Sequence, residues 1–184
     1  MCSSDLKFRS SWGQDDLNFR GTFDGGRHVV KNLRVEGTRY VGLFGALGDG
    51  ASVSDITLDS TCCFKGSDYV GALVGRAQRG TVAINRCGNE ADVSATGARV
   101  GGLVGGVYSA TLSIEDSYNT GSVTAGSEAA AIVGWANGAV DIKRTYNAGQ
   151  VQGQSGENSF ASGSPLTLEE CYDPDSPQAT AVTR

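Results

Sequence analysis

The sequence predicts an all-β chain wound as a right-handed parallel β-helix, a β-solenoid of about 30 residues per coil with three short strands in each. Three observations predict it. A glycine-closed phrase returns at a fixed step. A second phrase, with apolar residues two apart, travels with it. The charges of that second phrase alternate in sign from copy to copy.

The first phrase reads Val70-Gly71-Ala72-Leu73-Val74-Gly75, then Val100-Gly101-Gly102-Leu103-Val104-Gly105, then Ala129-Ala130-Ala131-Ile132-Val133-Gly134. An earlier copy, Tyr40-Val41-Gly42-Leu43-Phe44-Gly45, is one residue shorter. The closing glycines Gly45, Gly75, Gly105 and Gly134 give steps of 30, 30 and 29. A period of this size marks stacked supersecondary units, each unable to bury its apolar face alone.

The second phrase begins Val82-Ala83-Ile84, Leu112-Ser113-Ile114, Val140-Asp141-Ile142 and Leu166-Thr167-Leu168. Val53 and Ile56, and Val30 and Leu33, are taken to begin two looser early copies. A third element follows: Ala91-Asp92-Val93, Gly121-Ser122-Val123 and Gly149-Gln150-Val151. Apolar residues two apart are strand spacing, because side chains alternate faces. Glycine and small polar residues at 75–80, 95–97, 105–109 and 124–127 read as turns between strands. No stretch keeps a helical period. About five to six coils result, right-handed by the bias of parallel crossovers.

In a parallel in-register stack, equivalent residues lie about 4.8 Å apart. The alignment then puts Asp55, Arg86, Asp116, Arg144 and Glu170 in one column, alternating in sign. Glu115, Lys143 and Glu169 alternate next to it. Opposite charges facing each other in a sheet contribute roughly 0.2–1 kcal/mol per pair, and like charges oppose it. Tyr118, Tyr146 and Tyr172 form an aromatic column. Asn89, Asn119 and Asn147 form an amide column suited to bonding from coil to coil.

At 184 residues the chain reads as one domain, with a net charge of −5. Twenty-seven glycines and 8% aromatics suit a thin core of Val, Ile, Leu and Ala. There is no basic stripe with interleaved aromatics, so nucleic acid is not an expected partner. No apolar run approaches the ~20 residues of a membrane span, and no signal-peptide pattern opens the chain. Met1-Cys2-Ser3-Ser4-Asp5-Leu6 matches the translation of a common sequencing-library adapter. The expected division is therefore a non-native or leader-like segment at 1–18, repeats over 19–173 and a truncated tail at 174–184. Cys87 and Cys171 fall in one column with Ser117 and Thr145, three coils or roughly 14 Å apart, too far to bridge. They read as small buried fillers, and Cys62-Cys63 lacks a zinc-ligand pattern. No metal or cofactor is expected.

These phrases resemble the GLUG-motif repeat family, named for a Gly-Leu-x-Gly core. Gly102-Leu103-Val104-Gly105 and Gly42-Leu43-Phe44-Gly45 are full matches, while Ala72-Leu73-Val74-Gly75 and Ala131-Ile132-Val133-Gly134 are degenerate. Ser117-Tyr118-Asn119-Thr120-Gly121-Ser122-Val123 is similar to the family's Cys-Tyr-Asn-x-Gly-x-Val continuation. Phe19-Arg20-Gly21-Thr22-Phe23-Asp24-Gly25 is similar to the run that precedes such repeats, with Gly26-Arg27 in place of Asn-Gly. The alanines at 129–131, in place of glycines, predict a different turn in that coil. The resemblance spans Phe19 to Asp173. It implies a secreted or cell-surface bacterial protein of adhesin-like type, found also beside the catalytic domain of some immunoglobulin-A-cleaving peptidases, and transfers no catalytic residue.

Candidate site residues were weighed against plainer roles. His28, the sole histidine, reads as a turn residue rather than a base, since no nucleophile or second ligand accompanies it. Asp15, Asp16 and Asp24 are the carboxylates nearest a glycosidase pair, but the alternating column favours a salt-bridge ladder. Asp173-Pro174-Asp175-Ser176 lacks a calcium-loop pattern and reads as a turn. The glycines of 101–106 have no Lys-Ser/Thr after them, so no phosphate cradle is expected. Tyr118, Tyr146 and Tyr172 remain as the ligand-binding candidates. The expected function is a non-enzymatic structural or adhesive segment, with a surface glycan or a host or neighbour-cell protein as partner. The alternative is a carbohydrate-active or carbohydrate-binding β-helix. Open coil ends predict self-association.

Overall fold

The computed structural model describes residues 18–154, 159–163 and 165–174. Among them every regular element is a strand. The first coil holds β1 (Thr22–Val30), β2 (Arg34–Glu36) and β3 (Arg39–Val41). The second holds β4 (Phe44–Leu47), β5 (Ala51–Leu58) and β6 (Cys63–Gly71). The third holds β7 (Val74–Asn85), β8 (Gly88–Asn89) and β9 (Asp92–Gly101). The fourth holds β10 (Val104–Glu115), β11 (Tyr118–Asn119) and β12 (Val123–Ala130). The fifth holds β13 (Val133–Ala136), β14 (Val140–Lys143), β15 (Tyr146–Asn147) and β16 (Val151–Gln154). β17 (Ala161–Gly163) and β18 (Leu166–Glu169) lie beneath it. Strands pair with their counterparts one coil away, in parallel, in a 12-stranded and a 6-stranded sheet.

The register is the one the repeat predicts. Val74 pairs with Val104 and Val104 with Val133. Each inward position therefore stacks on its own kind. Val53, Ile84, Ile114 and Ile142 form one apolar column, and Val82, Leu112 and Val140 the next. All seven are at most 1% exposed. Burying side chains of this size contributes roughly 1.5–3 kcal/mol each, the main favourable term in the fold.

The glycine phrase makes the bend where a coil passes from the smaller sheet to the larger. A Cβ at Gly101 would lie 2.6 Å from the Gly134 nitrogen and closer still to the Val104 carbonyl oxygen, so backbones meet there with no room for a side chain. Leu103 donates its N–H to the Ile132 carbonyl, and Ile132 donates to Phe160. The alanines at 129–131 were expected to alter the turn. The same backbone bonds persist, because they need no side chain, and all three alanines are buried.

Two other expectations are corrected. The small-residue stretches at 75–80, 95–97, 105–109 and 124–127 do not interrupt strands; β7, β9, β10 and β12 run through them. Between β7 and β10 the pairing continues on both sides of Arg79 (φ 56°) and Ser109 (φ 50°), single left-handed residues that turn the strand without breaking it, whereas at 95–97 and 124–127 the register shifts within the strands. The early copies also sit in a different register. Val53 lies opposite Ile84 and Phe23 opposite Val53, whereas Val30 lies over Leu58 at the far end of β1. Those copies lack the Tyr-Asn ending that marks the frame.

Ile114→Ala is expected to destabilise the protein by about 2–5 kcal/mol, because the cavity is walled by Ile84 and Ile142 and can collapse only partly. Denaturant unfolding with an unchanged m-value measures it; a loss well under 1 kcal/mol contradicts the stacked core.

Candidate functional site

The charged column sits on one corner of the solenoid. Arg27, Asp55, Arg86, Asp116, Arg144 and Glu170 all adopt left-handed backbone, with φ of 61°, 56°, 50°, 50°, 45° and 53°. Such residues turn the chain sharply and aim their side chains outward. Arg86 pairs with Asp55 and Arg144 with Asp116, each at 2.6 Å, and Arg27 reaches Asp55 at 3.8 Å. The alternation extends one coil further than the sequence suggested, to Arg27. In the next column Lys143 pairs with Glu169 at 2.9 Å. The guanidinium of Arg86 holds the Asp55 carboxyl below its usual range; Arg144 does the same for Asp116, and Lys143 for Glu169. Ion pairs at a solvent-facing corner are screened and add little net stability, so this column selects register more than it supplies stability.

Just behind it runs a buried amide ladder. Asn89 Nδ2 donates to Asn119 Oδ1 at 2.8 Å, and Asn119 Nδ2 to Asn147 Oδ1 at 2.9 Å. The second hydrogen of each amide goes to its own loop, at Ala91, Gly121 and Gly149. None of the three is more than 1% exposed. The column ends at Asp173, which is buried as well. Between corner and amides lies a file of small buried residues, Cys87, Ser117, Thr145 and Cys171. The four described cysteines are free thiols, and burial pushes Cys87 up to about 11.

The predicted tyrosines do align. Tyr118 pairs with Tyr146 across adjacent strands, and Tyr146 bridges to Tyr172. Their environments differ. Tyr118 lies flat over Gly88 of the coil above, donates its hydroxyl to Glu90 Oε1 at 3.0 Å, and has its phenol raised by burial. Tyr146 stacks on Tyr118, ring centroids 5.3 Å apart and 8° from parallel. Tyr146 is 44% and Tyr172 60% exposed. The column is therefore one anchored ring and two displayed rings on a rigid backbone. Stacked flat faces flanked by hydroxyls suit a ligand with an apolar face and polar edges.

A second aromatic cluster was missed. The residue before the Val-Gly of the first phrase, or before Ala129-Ala130 in its fourth copy, forms its own left-handed column: Tyr40, Tyr69, Arg99 and Glu128. Tyr40 and Tyr69 rings lie 5.3 Å apart. The Arg76 guanidinium sits 4.2 Å over Tyr40 and donates to its hydroxyl. Arg99 lies 4.8 Å over Tyr69 and 5.2 Å over Trp135, and pairs with Asp68 and Glu128. Tyr40 and Tyr69 are buried. Ring stacking, guanidinium-over-ring contacts and ion pairs hold the cluster together and brace the bend, although Arg76 Nε and Arg99 Nε are buried without a hydrogen-bond partner. Its signal was available in the alignment, but mixed residue types hid it.

The remaining candidates do not converge. His28 is exposed within β1, opposite Ile56, and is not a turn residue; the turn is made just before it by Gly26 and Arg27, both at positive φ. Asp24 is exposed and accepts the Gly26 N–H. Among the described residues no three His, Cys, Asp or Glu side chains gather around a common point. Cys2, Asp15, Asp16, Asp175 and Ser176 lie outside the described residues.

The geometry defines a parallel β-solenoid with ladder-lined corners, and comparison with known proteins agrees on the fold. No family model matches the chain. Halomucin of Haloquadratum walsbyi (strain DSM 16790 / HBSQ001) is 33% identical over 88 residues, which is 47% of this chain and 1% of halomucin. A crystal structure of a candidate immunoglobulin A1 protease from Bacteroides ovatus has a TM-score of 0.57 at 21% identity, covering 88% of this chain and 65% of that one. The chain thus spans a small part of the first relative and about two thirds of the second, and the second likeness is one of fold.

Asn119→Ala removes the partner of one Asn89 amide hydrogen and the side-chain donor to the Gly121 carbonyl, and leaves Asn147 Oδ1 with the Gly149 N–H alone, at about 1–3 kcal/mol for a buried group left unpaired. A larger loss than for Arg144→Ala is expected by denaturant titration; the reverse order contradicts the ranking of the two columns. The acid response has a definite sign. Asp55, Asp116 and Glu169 have folded pKa values below their unfolded ones, so their stabilisation is complete above about pH 4–5 and is lost as pH falls through the folded values. The melting temperature should fall below about pH 4, less steeply in Arg144→Met; a flat profile to pH 3 contradicts it.

Proposed function

We propose that this chain is a non-enzymatic repeat segment of a secreted or cell-surface protein, of the GLUG type, which holds a tyrosine-lined edge rigid for a surface glycan. The observation that carries the reading is the display of Tyr146 and Tyr172 at 44% and 60% exposure, in line with the anchored ring of Tyr118. Two large aromatics left open in one file, on a repeat that buries Tyr40 and Tyr69 and leaves Tyr108 open by itself elsewhere, call for a partner. The sequence match to a protein named as a mucin, and the fold shared with a candidate immunoglobulin A1 protease, support an extracellular setting. A protein of a host or neighbouring cell is the other partner class the resemblance suggests.

A carbohydrate-cleaving role would need two free carboxylates about 5–10 Å apart. Along the charged columns Asp55, Asp116 and Glu169 are each held by an arginine or lysine, so the geometry supports binding over cleavage.

A glycan array probed with the protein, followed by calorimetry on any hit, tests the reading. Tyr146→Ala with Tyr172→Ala should weaken binding at least about tenfold, a loss of about 1.4 kcal/mol, with the melting temperature nearly unchanged. No retained glycan, or binding indifferent to both substitutions, overturns it.

A further inference from the structure

The two ends of the described solenoid are complementary. At the first coil, the outer edge of β1 carries Arg27 with its side chain 86% exposed, and Val29 at 49%. At the other end, the same two columns finish in Glu170, which is exposed, and Tyr172 at 60%. The charged column starts positive and ends negative. Laying the last coil on the first would put Glu170 over Arg27, the next step of the alternation already running from Arg27 to Glu170. It would also put Tyr172 over Val29, apolar on apolar. The inward columns continue too. Leu168 at one end and Phe23 at the other are each only partly buried, and both occupy the Val53–Ile84–Ile114–Ile142 file. One step is discordant, Glu169 over Asp24, and there Glu169 is already neutralised by Lys143.

We propose that these ends bind each other, so that a second copy of this chain docks head to tail and continues the parallel stack in register. Among the described residues β1 and β18 each have a strand partner on one edge only, and an edge without a partner is a template for another strand. A head-to-tail contact is heterologous: it does not close on itself as a two-fold dimer does, so it grows as a linear series. The charge pattern sets the polarity. Head-to-head contact would face Arg27 with Arg27, and tail-to-tail contact Glu170 with Glu170.

Sedimentation velocity on the full chain, at rising concentration and at two salt levels, tests this. The expected result is a concentration-dependent series of masses, weakened by salt and by Arg27→Glu. Two blocking variants then test polarity. Val29→Asp spoils only the head and Tyr172→Asp only the tail, and both positions are exposed, so folding is checked simply by circular dichroism. Each variant alone should be monomeric. Their mixture should give a capped 1:1 dimer, since one intact tail meets one intact head, while the two spoiled ends carry like charges. A monomer at every concentration up to about 1 mM overturns the proposal. Association of either variant alone overturns head-to-tail polarity. No glycan binding by the unsubstituted chain, with association intact, would strike the functional reading and leave this one standing.

Discussion

The bond from one asparagine to the next is the constraint on which the rest of the solenoid depends. Apolar burial alone does not choose a register. Its columns are built from near-equivalent Val, Ile and Leu, and a slip of two residues would keep every inward face inward. A slipped amide, in contrast, meets a wall without a partner and forfeits about 1–3 kcal/mol per group. Asn89, Asn119 and Asn147 each satisfy one neighbour and one loop carbonyl, and only the observed alignment allows both.

From that register the outer features follow. With the amides in line, Arg86 must face Asp55 and Arg144 must face Asp116. Tyr118 must lie over Gly88, where a side chain would collide with its ring. At the opposite bend, the buried Tyr40 and Tyr69 rings take Arg76 and Arg99 over their faces, so that corner is held by cation–π contacts as well as by glycine. The two corners use different chemistry for one task, which is to turn the chain while keeping coils about 4.8 Å apart.

Much of this was legible in the sequence, because a repeat compares the chain with itself. The period, the isoleucine column, the amide ladder, the alternating charges and the tyrosine file all came from placing one copy beneath another. What stayed hidden were features carried by conformation rather than by residue type. Nothing in the letters says that Arg79 and Ser109 take positive φ and let β7 and β10 run through their glycines. Nor could exposure be read: Tyr118 and Tyr146 share a phrase, yet one lies on a glycine and the other faces solvent. The bend cluster escaped because Tyr40, Tyr69, Arg99 and Glu128 look unrelated until their shared backbone state is seen.

That shared state has a consequence for variation. A left-handed corner occupied by arginine, aspartate, tyrosine or serine shows that the backbone there is imposed by its neighbours above and below, whatever the side chain. At the charged corner, where arginine and aspartate alternate on one backbone state, the tenant of that state differs from winding to winding while the shaft does not. A lineage of such chains can rewrite its outermost rim, one residue per winding, while its interior stays the same.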